Sequence, residues 1–185
     1  TGDLFQIVAE LGWDQPILVG QSWGGNLLLE FGARFPGAAR GLVFVDGGFL
    51  HLRERGTWEE VAQELRPPNL VGMPKKKIAD RIGKMNPEWS EEGIEATLGN
   101  FEILPDDTIR PWLTLDRHLK ILHALYEQDP PSLFPQVEAP VLICAADDGS
   151  DRVDQKRLMV EAAASGLKQG KVVWFEGAAH DIHVH

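Results

Sequence analysis

A serine hydroxyl becomes a nucleophile only when a neighbouring base takes its proton, and one serine of this chain stands in a setting suited to that. Gly20-Gln21-Ser22-Trp23-Gly24 has the form Gly-x-Ser-x-Gly, the pattern of a nucleophile elbow. The apolar residues 16–20 before it read as a buried strand, and 26–35 after it as a buried helix stopped by Pro36-Gly37. In such a strand-to-helix turn the serine is held in a strained backbone conformation. Glycines at 20 and 24 are expected to remove side chains that would collide across it. The hydroxyl would then emerge at the C-terminal edge of the sheet, facing the donor-rich N-terminus of the helix. The bland alternative is a glycine-rich turn without chemistry.

The chain holds six histidines. His180 is the candidate base, because it lies on the loop directly after the last strand pattern. His51, His118 and His123 read as surface or packing residues. His180-x-x-His183-x-His185 could be read as a metal cluster, but the helical His-Glu-x-x-His scaffold of a catalytic zinc site is absent from the sequence. No metal is expected. Cys144 falls within the apolar residues 141–145 and reads as a buried, inert thiol, since nothing near it in sequence would lower its pKa.

The elements that must position these groups alternate between strand and helix. Residues 3–11 read as an amphipathic helix with Gly12 at its C-cap. Buried strands are expected at 16–20, 41–46, 140–145 and 171–175, with a helix at 152–165 between the last two. Strands alternating with helices imply a mostly parallel sheet with helices on both faces, an α/β fold. Residues 47–139 differ. They hold nine of the 12 prolines, and helical patterns at 57–65, 75–85, 90–99 and 112–127 without strand-like alternation. The expected organisation is therefore a core at 1–46 and 140–185, interrupted by a helical cap at 47–139. Lys75-Lys76-Lys77 reads as the solvated start of a cap helix.

These pieces together resemble the α/β-hydrolase superfamily, in its serine-nucleophile branch. The matching segments are 20–24, the strands at 41–46 and 140–145, and Gly177-Ala-Ala-His180. The resemblance implies the order Ser, acid, His and an aspartate that orients the histidine. That acid usually follows the strand matching 140–145. In Ala145-Ala146-Asp147-Asp148-Gly149-Ser150-Asp151 the favoured position is Asp148, with Asp147 next. Some members carry the acid one strand earlier, where Asp46 stands, otherwise a strand-end residue capping Gly47-Gly48. Asp151 and Asp154 read as caps of the next helix. The resemblance also implies that the backbone N–H of Trp23 is one oxyanion donor and that the second precedes Thr1. Further strands would precede Thr1 and a closing helix would follow His185. The chain is accordingly expected to be the C-terminal two-thirds of the fold, with one sheet edge open.

The implied activity is cleavage of a small ester-type substrate (carboxylic ester, thioester, lactone or amide) through an acyl-enzyme, with no cofactor. The alternatives are a non-catalytic ligand-binding relative, or a cofactor-free peroxidase or lyase of the same fold. Trp58, Trp89, Trp112, Phe101 and Phe134 could line an apolar substrate pocket, or pack the cap on the sheet. A net charge of −10 argues against a nucleic-acid partner. No run of about 18 apolar residues would span a membrane. A single cysteine permits no internal disulfide, which fits a cytoplasmic location.

Overall fold

The computed structural model describes residues 1–87, 89–150 and 153–182. Helix α1 (Gly2–Glu10) leads into strand β1 (Ile17–Gln21), helix α2 (Trp23–Arg34) and strand β2 (Gly41–Val45). A short 3-10 turn, Leu52–Arg55, precedes α3 (Trp58–Glu64), β3 (Met73–Pro74), α4 (Lys75–Met85), α5 (Glu91–Leu98), β4 (Phe101–Ile103), β5 (Thr108–Pro111) and α6 (Leu115–Glu127). The chain ends through α7 (Pro130–Leu133), a 3-10 turn, β6 (Val141–Asp147), α8 (Val153–Gly166) and β7 (Gly170–Glu176). It divides into two compact units, one formed by Thr1–Glu54 and Glu127–Ile182, the other by Arg55–Tyr126.

The first unit is an α/β layer. Its sheet runs in the order β1-β2-β6-β7 with every pairing parallel. Parallel neighbours need crossover connections, and α2 and α8 supply two of them. Alternation along the strands sends Leu18, Leu42, Phe44, Val141 and Ile143 to one face. There they pack with Leu28, Leu29 and Phe31 of α2 and with Val160 and Ala163 of α8. Gly32 permits the close approach of α2 to the sheet, because a Cβ there would lie 2.8 Å from Leu42 Cδ1. The opposite face carries Ile17, Val19 and Val173, all exposed. Since all four strands are parallel, their C-terminal ends share one edge, and the loops after β1, β2, β6 and β7 gather there.

The second unit is where sequence patterning falls short. Residues 47–139 show no strand alternation, yet the structure forms a small antiparallel sheet, β3-β5-β4, within them. Strands of two to four residues are too short to display a period. What makes the β4-β5 hairpin is turn chemistry: Asp107 takes a φ of 60°, and the Asp106 carboxylate accepts from the N–H of Thr108 at 3.1 Å. Ile78, Leu98 and Ile109 form the core of this unit, joined by Met73, Ile82 and Phe101. Two of its helices start on side-chain caps. Thr57 and Glu60 cap α3 reciprocally, and Ser90 accepts from the N–H of Gly93 at the start of α5. Residues 47–54 and 127–139, which the sequence reading placed in the insertion, pack with the first unit. Phe134, a candidate pocket residue, lies in that unit's core.

Among the described residues no helix is long and apolar enough to cross a membrane.

Candidate active site

Ser22 sits between the last residue of β1 and the first of α2, with φ 53° and ψ −116°. A non-glycine residue with positive φ carries strain, and the surroundings fix it. The Ser22 N–H donates to the Val45 carbonyl at 2.8 Å, and the Ser22 carbonyl accepts from the N–H of Gly25 at 3.0 Å. The glycines that make the turn possible are not quite those expected. A Cβ on Gly20 would lie 2.4 Å from the Gly24 carbonyl oxygen, as the motif requires. One on Gly24 would meet nothing within 4 Å. The other crowded positions are Gly25, whose Cβ would lie 2.6 Å from Gly48 N, and Gly47, whose Cβ would lie 2.1 Å from the Ser22 carbonyl oxygen. The elbow is thus pressed against the loop that follows β2, and only glycines on both sides allow that contact.

That loop begins with Asp46, which is 3% exposed and has φ 44°. Its carboxylate is fully engaged. Oδ1 accepts from the N–H of Ala146 at 3.0 Å and from Lys156 Nζ at 3.2 Å. Oδ2 accepts from Lys156 Nζ at 3.0 Å and lies 2.7 Å from His180 Nδ1. Burial pushes the Asp46 carboxyl up. The hydrogen bonds from His180, the Ala146 amide and Lys156 outweigh it, and the pKa stands below the usual carboxylate value.

His180 follows β7 across Gly177, whose N–H donates to the Asp147 carbonyl at 2.8 Å. Its side chain is 50% exposed. The hydrogen bond to Asp46 raises its pKa above the ordinary imidazole value, against desolvation and the nearby Lys156 charge. The base loop is also tied to the elbow: Gln21 Nε2, one residue before Ser22, donates to Oδ1 of Asp181, one residue after His180, at 3.1 Å. Ser22, Asp46 and His180 thus stand on the loops after β1, β2 and β7 at the shared C-terminal edge of the sheet, where His180 contacts Asp46 directly.

The favoured acid, Asp148, is not brought to the histidine. It is exposed and its Oδ1 accepts from the N–H of Ser150 at 3.0 Å, a local turn contact that lowers its pKa. Asp147 accepts from Gly149 N–H at 3.1 Å and is paired with the Arg157 guanidinium, which also lies over the Trp174 ring. The carboxylate on His180 is the one from the preceding strand. The loop after β6 turns its two acids outward or onto α8, and no sequence pattern distinguishes that from an inward turn.

Two residues of this region escape sequence reasoning. Asn26 is completely buried on α2. Its Oδ1 accepts from Gly48 N–H at 3.0 Å, and its Nδ2 donates to the Leu50 carbonyl at 2.9 Å and to Gln128 Oε1 at 2.8 Å. It thereby ties down the loop that carries Asp46. The signal was present: a lone amide within an apolar helix. Lys156 is the second, a lysine on the inward stripe of α8 between Val153 and Val160.

The other candidates have contacts of their own. His51 contacts Glu54 at 3.2 Å, the ring of His118 lies 3.1 Å from the Leu65 carbonyl, and His123 packs edge-on against Trp58. Phe101 belongs to the second unit's core and Trp112 is exposed. Lys75 opens α4 and pairs with Glu95 at 2.9 Å. Burial pushes the Cys144 thiol up, away from thiolate chemistry. The metal reading rested on His183 and His185, which, like Asp151, fall outside the described residues.

A sequence model described as "Alpha/beta hydrolase family" matches residues 2–185. The chain belongs to the alpha/beta hydrolase family. No curated protein matches it. Among solved structures, the chain is similar to an E-2-(acetamidomethylene)succinate hydrolase, with 18% identity, a TM-score of 0.75 and coverage of 99% of this chain and 66% of that one. It is also similar to the thioesterase domain from a curacin biosynthetic pathway, at 18% identity, TM-score 0.68 and coverage of 99% and 67%. A third is an esterase of Mycobacterium tuberculosis, at 17% identity, TM-score 0.72 and coverage of 99% and 62%. The chain thus spans about two thirds of the length of these hydrolases, and at such identities they speak to the fold alone.

Proposed function

We propose that this chain carries the catalytic residues of a serine hydrolase acting on a small ester-type substrate, with Ser22 as nucleophile, His180 as base and Asp46 as the acid that orients it. The observation that carries this reading is the His180–Asp46 hydrogen bond beside a strained elbow serine. An imidazole held through Nδ1 presents Nε2 to a serine proton, and the buried carboxylate stabilises the imidazolium that forms. Ser22 Oγ attacks the substrate carbonyl carbon as its proton passes to His180. The resulting oxyanion is stabilised by backbone donors, Trp23 N–H at the first position of α2 being one. Collapse expels the alcohol, thiol or amine with the proton from His180, leaving an acyl group on Ser22. Water, deprotonated by the same histidine, then attacks that acyl carbonyl and releases the carboxylic acid.

The ester class is supported by the resembling structures, which include a protein titled an esterase and one titled a thioesterase. Residues 47–139 occupy the chain position of a cap, between β2 and β6, and a single cysteine suits a reducing cytoplasmic setting. The test is reaction with a fluorophosphonate and location of the adduct by peptide mass spectrometry. One adduct on Ser22, lost in His180→Ala, is the expected result. Failure of a demonstrably folded protein to label would reject the hydrolase reading in favour of a non-catalytic ligand-binding one.

A further inference from the structure

Lysine is rarely placed on the buried stripe of a helix, because its ammonium must leave water. Lys156 stands one turn into α8, three residues after Val153 and four before Val160, both core residues. Its side chain is 23% exposed. The ammonium has three protons and finds three acceptors: Asp46 Oδ1 at 3.2 Å, Asp46 Oδ2 at 3.0 Å and the Ala146 carbonyl at 3.0 Å. Seen from Asp46, Lys156 supplies two of the four contacts on the carboxylate, the others being the Ala146 amide and His180. A carboxylate has about four lone-pair sites, so this one is saturated and cannot turn about its Cβ–Cγ bond without losing a bond on each oxygen.

We propose that Lys156 is a positioning residue for this active site, fixing the Asp46 carboxylate toward His180 and setting the pH at which His180 becomes a base. The inference rests on the reading of His180 and Asp46 as base and acid. Two effects follow from one contact. Geometrically, the lysine locks the rotamer that offers Oδ2 to the imidazole. Electrostatically, it is a cation sharing an oxygen with the imidazole, so the two nitrogens are less than about 6 Å apart. It opposes protonation of His180, while Asp46 and Asp181 favour it. Lys156 also faces Asp148, on the loop before α8, whose pKa it helps the Ser150 contacts to lower. Arg157, the next cation on α8, is paired with Asp147 and does not replace it. Without Lys156, the carboxylate would hold the histidine proton alone.

Two unit charges about 6 Å apart couple by roughly half a pH unit in a water-like dielectric and about two units in a protein-like one. The experiment compares wild type, Lys156→Gln and Lys156→Arg. It follows the rate of Ser22 labelling by a fluorophosphonate from about pH 5 to 9, and the His180 ring signals by NMR over the same range. In Lys156→Gln both midpoints are expected to rise by about half to two units. Each unit of rise costs about tenfold in labelling rate below the midpoint. Lys156→Arg, which keeps the charge, should return both midpoints to within about 0.3 units of wild type. Unchanged midpoints in a folded, labelling Lys156→Gln protein would overturn the inference while leaving the triad reading intact. Absence of Ser22 labelling in wild type would instead remove the triad reading, and the NMR titration would then report on the Lys156–His180 coupling by itself. Should Lys156→Gln fail to fold, a Lys156→Arg midpoint displaced upward by half a unit or more would likewise contradict a role through charge.

Discussion

Replacing Asp46 by asparagine removes one charge and almost no volume, so its consequences can be worked from the contacts. The amide can still accept from the Ala146 N–H, but it no longer neutralises Lys156 and no longer holds the imidazole with a charge-assisted bond. With an amide in place of the carboxylate, the Nδ1–H tautomer that points Nε2 at Ser22 loses its advantage. A wrong tautomer in such a triad costs about 10⁴-fold in kcat, and a fall of about 10³- to 10⁴-fold is expected here. Stability should fall as well. Breaking a buried ion pair by removing one partner costs about 3–5 kcal/mol. Because Lys156 keeps some water access, at 23% exposure, about 2–3 kcal/mol is the expected loss. Asp148→Asn is the matched control. Its carboxylate is exposed and, among the described residues, hydrogen-bonds within its own turn, so activity should stay within about twofold. Hydrolysis of a p-nitrophenyl ester and urea unfolding would be measured on both variants. If Asp46→Asn kept wild-type turnover while Asp148→Asn lost it, the assignment of the acid to β2 would be refuted.

Three further outcomes are expected. Gly47→Ala places a methyl group 2.1 Å from the Ser22 carbonyl oxygen, so the elbow must shift, and Ser22 labelling should fall at least 100-fold with about 1–3 kcal/mol lost in denaturant unfolding; Gly24→Ala, with open space at its Cβ, should unfold within about 1 kcal/mol of wild type. Asn26→Ala leaves Gly48 N–H, the Leu50 carbonyl and Gln128 Oε1 without the Asn26 side chain, at a cost of about 2–4 kcal/mol in thermal or chemical unfolding. The kcat/KM profile should rise with pH through a midpoint above the ordinary imidazole value of about 6.5, because Asp46 favours the protonated ring and only the neutral ring is a base; a midpoint at or below that value would contradict the His180–Asp46 pairing.

The sign of that last effect bears on stability. A histidine whose pKa is raised by folding stabilises the protein fully at pH below its unfolded value, and this contribution is lost as pH rises through the folded one. Asp46, whose pKa folding lowers, contributes above the usual carboxylate range and loses that contribution as pH falls through its folded value. The site is therefore active where the raised His180 pKa no longer contributes to folding, while the contribution of Asp46 is still present.

Local features of the sequence were enough to place Ser22, the parallel strands and the loop of His180, because each is written in one short stretch: a glycine-flanked serine after an apolar run, or a histidine after the last strand. The carboxylate that contacts His180 was not legible in the same way. Asp46, Asp147 and Asp148 all stand at strand ends on the same edge of the sheet, and any of them satisfies a rule based on chain order. What separates them is non-local. Asp46 is drawn inward by a cation 110 residues further along the chain, Lys156, and by an amide on the neighbouring strand, Ala146. Asp147 is drawn away by Arg157, the very next residue of the same helix. Successive positions on α8 point about 100° apart, so its orientation sends one cation to each carboxylate. Which carboxylate meets His180 is thus decided by the rotation of a helix about its axis, and the readable trace of that rotation is a lysine standing where the pattern of Val153 and Val160 calls for an apolar side chain.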